Sequence, residues 1–401
     1  MVRSVRHRVS SILAVVGCLL LSACSTTKFV PDGQYLLNKA RIKVTDTKEV
    51  TASDLNDYLR QKQNTEILGF WKLQLDIYNT APADTTTKGK RWLAANAHKV
   101  GEAPVIYDED LTRVSMEQLA QTMSNKGYFN VVVDTQKVYK KKKVNLTYLV
   151  TANKPYTIRK YKVDIEQPEV RTIATNSNCL IKDGMQFSTS VLDDERQRIA
   201  TKMHNEGYFY FDKSMLEYVA DSSYNCLGAD VDIRMSKYVS QLPDSAQKRL
   251  YTKYTIRQVY FHIDYDPSRL PADAELHIEQ DKYGNEYSYI GKRFLRPGVL
   301  RRNCRIKAGG LYSERRVERT YSLLNALAPV KYVDIAFDPV GENQLDCHIT
   351  VSRGKLNNIS AEVEGTYSAG DWGIAAGASY INRNIFHGAE QLSLSGRASY
   401  E

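Results

Sequence analysis

Six cysteines and seven histidines are the side chains of this 401-residue chain with the widest chemical repertoire, and their spacing limits what they can do. No cysteines stand as C-x-x-C and no histidines as H-x-x-x-H, so a zinc site has no basis in the sequence. His98, His204, His262, His277, His348 and His387 are scattered. A Gly-x-Ser-x-Gly elbow and a P-loop are both missing, which leaves hydrolase and nucleotide chemistry without a nucleophile or a phosphate cradle. The acids Asp193-Asp194-Glu195 read as the first turn of a helix, where carboxylates meet the positive end of the dipole. The expectation is a protein without catalytic residues, metal or cofactor.

One cysteine does have a chemical use. Arg3, Arg6, His7 and Arg8 form a basic stretch, and Ile12 to Leu21 form an apolar run too short to span a membrane, as in a signal peptide. Leu21-Ser22-Ala23-Cys24 follows and resembles the bacterial lipobox, in which the thiol takes a diacylglycerol and becomes the mature N-terminus. Residues 1–23 are therefore expected to be a signal peptide and 24–34 a tether carrying a covalent lipid on Cys24. Ser25, where an aspartate would favour the inner membrane, points to the outer one. An ordinary signal peptide containing a cysteine is the alternative. The net charge of +9 includes three of those N-terminal arginines, and the rest is spread along the chain, so nucleic acid is not an expected partner. The dense run Lys140 to Lys143 reads as a solvated hairpin tip.

Positioning elements recur along the chain. Ser53 to Gln63 has helical spacing after a serine cap; residues 66–99 give no assignment. A helix opens at Ser115 with Gln118 in capping-box position, buries Met116, Leu119, Ala120 and Met123, and ends at Lys126-Gly127. Tyr128-Phe129 starts a strand to Tyr139, and Val144 to Thr151 pairs back on it. Tyr156-Thr157-Ile158-Arg159 and Tyr254-Thr255-Ile256-Arg257 restart this unit. From Cys179 and from Cys304, glycine falls at +5, an aromatic at +8 and serine at +9. In the second copy the helix ends at Gly207-Tyr208-Phe209 and strands follow at Tyr210 to Tyr218 and Ala229 to Met235. In the third, strands follow near Tyr332 to Phe337 and Leu345 to Val351. Cys179 with Cys226 and Cys304 with Cys347 occupy what look like equivalent positions of the two copies. In an oxidising compartment one disulfide per copy is plausible; four buried free thiols are the alternative.

The last stretch alternates in polarity. Ile359, Ala361, Val363 and Tyr367 share one face of a run whose other face carries Asn358, Ser360, Glu362 and Glu364. Trp372, Ile374, Ala376, Ala378 and Tyr380, then Leu392, Leu394, Gly396, Ala398 and Tyr400, repeat the apolar side. Each run has about the length a tilted strand needs to cross a bilayer. An apolar wall facing lipid with a wet lumen opposite is one reading. A water-soluble meander is the other.

The β-α-α-β-β order, with Gly-Tyr-Phe joining helix to strand, resembles the POTRA domain. Three such units (35–153 with an insertion, 154–240 and 252–353) before 355–401 are similar to the BamA/TamA family of outer-membrane assembly factors. Asn382-Arg383-Asn384-Ile385-Phe386-His387-Gly388-Ala389-Glu390 resembles that family's turn between its second and third barrel strands. With a lipobox in front, the chain is most similar to the lipidated TamA-like subgroup, TamL. The resemblance implies an α+β fold of tandem POTRA domains followed by the first strands of a transmembrane antiparallel β-barrel. Asn358, Ile359, Ala361, Val363, Gly365 and Tyr367 would lie on the first strand. Such barrels have at least about 8 strands, so the chain reads as truncated after Glu401. It further implies a non-enzymatic role: handling unfolded outer-membrane proteins by β-augmentation, beside a TamB-like periplasm-spanning partner and outer-membrane lipid. A pore secreting one passenger, or a soluble periplasmic binding or scaffold lipoprotein, remain the alternatives.

Overall fold

Three mixed sheets share one strand order in a computed structural model that describes residues 26–222, 226–269, 274–368 and 371–400. Strands β1 (Leu36–Thr45), β2 (Val132–Lys140) and β3 (Lys143–Thr151) lie in the order β1-β3-β2. β4 (Thr157–Asp164), β5 (Leu216–Asp221) and β6 (Gly228–Met235) lie as β4-β6-β5. The third sheet carries β7 (Thr255–Ile263), then a hairpin of β8 (Leu276–Gln280) and β9 (Glu286–Ile290), then β10 (Val330–Val340) and β11 (Gln344–Arg353). Its order is β10-β11-β7-β9-β8, which is the same plan with the hairpin added beside β7. In the first and third sheets the outer hairpin pair is antiparallel, and the first strand runs parallel to the last. A parallel pair needs a crossover, and the two helices of each unit supply it.

The chain divides into two compact units within the middle repeat. One runs to Tyr161 and adds Lys182–Val191 and Ala220–Val231; the other takes Lys162–Ile181, Leu192–Val219 and the residues from Asp232 onward. In the first unit β3 alternates strictly, burying Val144, Leu146, Tyr148 and Val150 against Leu37, Leu55, Leu119 and Met123. The expected helix at 53–63 is shorter than its spacing suggested. α1 covers Ala52–Leu55 and passes into a 3-10 turn, and its cap is Thr51, whose N–H donates to Asp54 (2.8 Å). The unassigned region holds α2 (Leu73–Asn79) and α3 (Lys88–Val100).

The next helix, α4 (Glu109–Asn125), corrects the expected start at Ser115. Asp108 caps it, accepting from the N–H groups of Asp110 and Leu111, and Glu109 and Asp110 add charge to the first turn. Ser115 is instead buried: its hydroxyl donates to the Leu111 carbonyl (2.7 Å) and accepts the Arg60 N–H (3.0 Å). Lys140 and Lys143 do face each other across a hairpin turn, as expected.

The middle repeat carries α5 (Pro168–Ala174) and α6 (Thr189–Asn205). Because α6 starts at Thr189, Asp193-Asp194-Glu195 lie beyond its first turn and the dipole account fails. Glu195 is fully buried. It accepts the Leu180 N–H (3.0 Å) and pairs through both oxygens with Arg198 (2.7 and 2.8 Å), while Asp193 pairs with Arg196 and Lys213. The strand expected at Tyr210 to Tyr218 also starts later, because Asp212 caps a 3-10 turn at Lys213–Met215. Two short helices, α7 (Lys237–Ser240) and α8 (Asp244–Leu250), lead to β7. α9 (Pro297–Asn303) and α10 (Glu314–Asn325) complete the third repeat. A separate antiparallel sheet, β12 (Asn357–Ser368), β13 (Asp371–Asn382) and β14 (Leu392–Tyr400), ends the chain. Among the described residues no helix is long and apolar enough to cross a membrane.

Candidate functional site: open strand edges and the apolar C-terminal sheet

The Gly-Tyr-Phe segments connect successive repeats by the same bonds. The Gly127 carbonyl accepts the Tyr156 N–H (2.8 Å), and Tyr156 in turn accepts from Phe187 (2.8 Å). The Gly207 carbonyl accepts the Tyr254 N–H (2.8 Å), and Tyr254 accepts from Tyr312 (2.9 Å). Phe129 meets Tyr156 and Phe187 edge to face, and Phe209 meets Tyr312 the same way, with Tyr254 at 6.1 Å. Glycine is needed here because φ is +90° at Gly127 and +104° at Gly207. A Cβ on Gly127 would also stand 2.5 Å from the Phe187 carbonyl oxygen, whereas on Gly207 it would meet only side chains, Leu311 at 3.2 Å and Lys253 at 3.4 Å. Gly127→Ala is therefore expected to lose about 1–3 kcal/mol in urea unfolding, and Gly207→Ala less. Equal losses would contradict this account of the first junction.

Each repeat leaves the outer strand of its C-terminal hairpin at a sheet edge: β2, β5 and β10. Such an edge can receive an extended peptide as a further strand. The β10 edge is guarded by Pro339 and by exposed Asp334 and Asp338, which discourage pairing. On β2 the exposed side chains include Val132, Val138 and Tyr139, and its register to β3 is unbroken from Val132 to Lys140. On the opposite side of the third sheet the hairpin covers β7, and β8 is the edge strand.

The C-terminal sheet has the register its alternation implied. Ile359 pairs with Tyr380, Ala361 with Ala378, Val363 with Ala376 and Gly365 with Ile374. Ile374 then pairs with Tyr400, Ala376 with Ala398 and Tyr380 with Leu394. Ile359, Val363, Trp372, Ile374 and Leu394 are 58–80% exposed, and among the described residues no helix covers this face. On the other face Ser360 bonds to Ser379 (2.7 Å), and Arg397 pairs with Glu364 (2.9 Å). Asn358 and Tyr367 also lie on β12; the Tyr367 side chain is outside the described residues.

The turn from β13 to β14 is seated on the third repeat, a contact the sequence did not announce. The Asn384 side-chain amide and His387 Nδ1 converge on the Phe294 carbonyl, the His387 carbonyl accepts the Arg296 N–H (2.9 Å), and Ala389 packs on the repeat's core. Asn384 is buried and also accepts the Ala389 N–H (3.1 Å). His387 (φ +60°) and Ala389 (φ +66°) hold the left-handed conformation without being glycine. Such strain persists where surrounding contacts enforce it, commonly at functional positions. Backbone N–H groups hold the Glu390 carboxyl below its usual range.

Cys24 lies outside the described residues. Cys179 is half-buried, Cys226 exposed, and Cys304 and Cys347 buried in one core; all four are free thiols. Burial raises the thiol pKa of Cys179, Cys304 and, most strongly, Cys347. The two cysteine pairs are not equivalent in position, contrary to the spacing argument. Thr157 donates to the Leu227 carbonyl as Thr255 does to that of Asn343, so Cys226 is level with Glu342 and Cys347 with Val231. Among the described residues no group of His, Cys, Asp and Glu could hold a metal ion.

One buried titratable cluster does have a pH consequence. His262 lies 3.0 Å from His348, with Tyr265 and Ser288 at its other nitrogen (both 2.9 Å) and Asp338 beyond His348. Burial first, then the His348 charge, lowers its pKa from 6.5 to about 4. The unfolded chain therefore binds this proton more readily than the folded one. The stability is present above pH 6.5 and is lost as pH falls from there towards 4, by about 2–3 kcal/mol. His262→Gln should flatten that part of the stability profile; an unchanged slope would contradict the assignment.

Residues 39–153 match the POTRA family, described as a surface antigen variable number repeat. The chain carries a POTRA domain, and its mixed α+β fold is one of POTRA-like repeats followed by a strand-rich C-terminal region. POTRA domains 3–5 of BamA from Haemophilus influenzae are 14% identical, cover 81% of this chain and 99% of that one, and align with a TM-score of 0.38. BamA from Haemophilus ducreyi lacking POTRA domains 1–3 is 13% identical, covering 61% of this chain and 37% of that one (TM-score 0.42). CdiB from Acinetobacter baumannii is 13% identical, covering 72% and 46% (TM-score 0.28). This chain thus spans less than half of the latter two. No curated protein sequence matches it.

Proposed function

We propose that this chain is the periplasmic part and first barrel strands of a lipid-anchored outer-membrane assembly factor of the TamL type. Its POTRA-like repeats receive unfolded outer-membrane proteins along open strand edges. The observation that carries this reading is the C-terminal sheet, apolar and uncovered on one face and fixed to the last repeat by a strained turn. In this reading Ile359, Val363, Ile374 and Leu394 face lipid tails, the Glu364–Arg397 face lines the lumen, and Cys24 carries the anchor. β2, free of proline and regular in its pairing, is the preferred receiving edge, and a TamB-like partner docks at the repeat end. Of the cysteines, Cys304 and Cys347 share one core, which makes them the candidates for a bridge in an oxidising compartment.

The test uses the full-length protein in lipid vesicles and a peptide copying one strand of an outer-membrane barrel. Amide exchange along β2 should slow when the peptide is added, and Tyr139→Pro, which removes an outward-facing backbone donor from that strand, should abolish the effect. The same variant should slow folding of a barrel client into those vesicles. Unchanged exchange on β2 together with undiminished client folding would overturn the proposal.

A further inference from the structure

The third repeat contains a cleft of about 800 Å³ lined by Arg305, Lys307, Arg315, Arg316 and Arg319 together with Gly309 and Gly310. That volume suits a small ligand. Among the described residues none of the five cations has a carboxylate partner. Arg316 and Arg305 reach only main-chain carbonyls, of Leu311 (3.2 Å) and Arg302 (3.4 Å). Glu314, on the same helix, is turned to His204 (3.2 Å). A second cavity of about 430 Å³ shares Arg305 and Lys307 and adds Arg301 and Arg302.

The backbone that carries these side chains is fixed. The Arg305 N–H donates to the buried Thr320 hydroxyl (2.8 Å), Gly309 donates to the Ile256 carbonyl (2.7 Å), and Ile256 donates to that of Gly310 (2.8 Å). The middle repeat makes the same three bonds: Leu180 to Glu195 (3.0 Å), Gly184 to Ile158 (2.7 Å) and Ile158 to Met185 (2.7 Å). At the places of the five cations it has Leu180, Lys182, Ser190, Val191 and Asp194. One lysine and one aspartate cancel there. The fold is built without the charge, so the cations of the third repeat are not a requirement of the scaffold.

We propose that this cleft binds a phosphoryl group. Arginine forks match phosphate oxygens in pairs, and a phosphoryl group offers more acceptor oxygens and charge per volume than a carboxylate. The same repeat seats the turn of the apolar sheet through Phe294 and Arg296. If that sheet lies in a bilayer, as the proposed function has it, a lipid headgroup is one source of the phosphoryl group and a free phosphate is the other. The binding chemistry itself does not depend on that reading.

Titration calorimetry of the full chain should show saturable binding of inorganic pyrophosphate. Arg315→Gln and Arg319→Gln should each weaken it about tenfold, since both side chains are exposed and neither supports the core. Lys140→Gln with Lys141→Gln, at the distant hairpin tip, should leave it unchanged. Soluble short-chain phosphatidylglycerol bound with the same arginine dependence, and phosphatidylcholine not bound, identifies the headgroup as the source; pyrophosphate bound alone identifies a free phosphate. Equal loss in the hairpin variant, tighter binding of an oligoglutamate peptide, or no saturable binding would each overturn the proposal.

Discussion

Val363→Arg is expected to destabilise the protein in lipid vesicles by about 2–4 kcal/mol, the cost of an arginine at mid-membrane on a lipid-facing strand. Val363 pairs with Ala376 in the middle of β12, 78% exposed, on a face whose other members are Ile359, Trp372, Ile374 and Leu394. In water the same change on an exposed strand would fall within about 0.5 kcal/mol. Ser395→Arg, on the opposite face, is the matched control and should be close to neutral. Denaturant unfolding from vesicles measures both. A neutral Val363→Arg would leave the C-terminal sheet as a soluble meander, and the reading would reduce to a periplasmic scaffold.

A larger loss is expected inside the middle repeat. Glu195→Ala removes the carboxylate that pairs with Arg198 through both oxygens and accepts the Leu180 N–H, at a site where Glu195 is fully buried and Arg198 is 18% exposed. Breaking a buried pair from one side typically costs about 3–5 kcal/mol, because the remaining charge has no water to replace its partner. The third repeat shows a neutral solution at the same places, Thr320 for the acid and Leu323 for the arginine. The double variant Glu195→Thr with Arg198→Leu should therefore recover most of the loss in urea unfolding. A double variant as unstable as the single one would show that the pair contributes something the neutral version cannot replace.

The repeats were legible because the features that mark them are local. Gly127 and Gly207 answer to a backbone angle, and the alternation of β3 and β12 follows from side chains pointing to opposite faces in turn. Where the reading erred, a distant partner had taken the group. Ser115 looked like a cap but holds Arg60, and Asp108 caps the helix instead. Glu195 looked like a dipole ligand but is committed to Leu180 and Arg198. The cysteine pairs looked equivalent by spacing until strand register set them at different levels.

By itself the sequence determined the three-fold repetition, the POTRA-like plan and the apolar face of the last sheet, but not the helices within 66–99 or the β8–β9 hairpin. The first three follow from periodicities of two and of three to four residues, which a chain carries whatever it packs against. Tertiary structure alone decided that the turn at 382–390 rests on Phe294 and Arg296. It also decided that five cations separated by up to 14 residues line one cleft, and that β2 is an open edge while β7 is covered. Those facts depend on which segments meet in space, and pair contacts across long loops leave no period in the sequence to read.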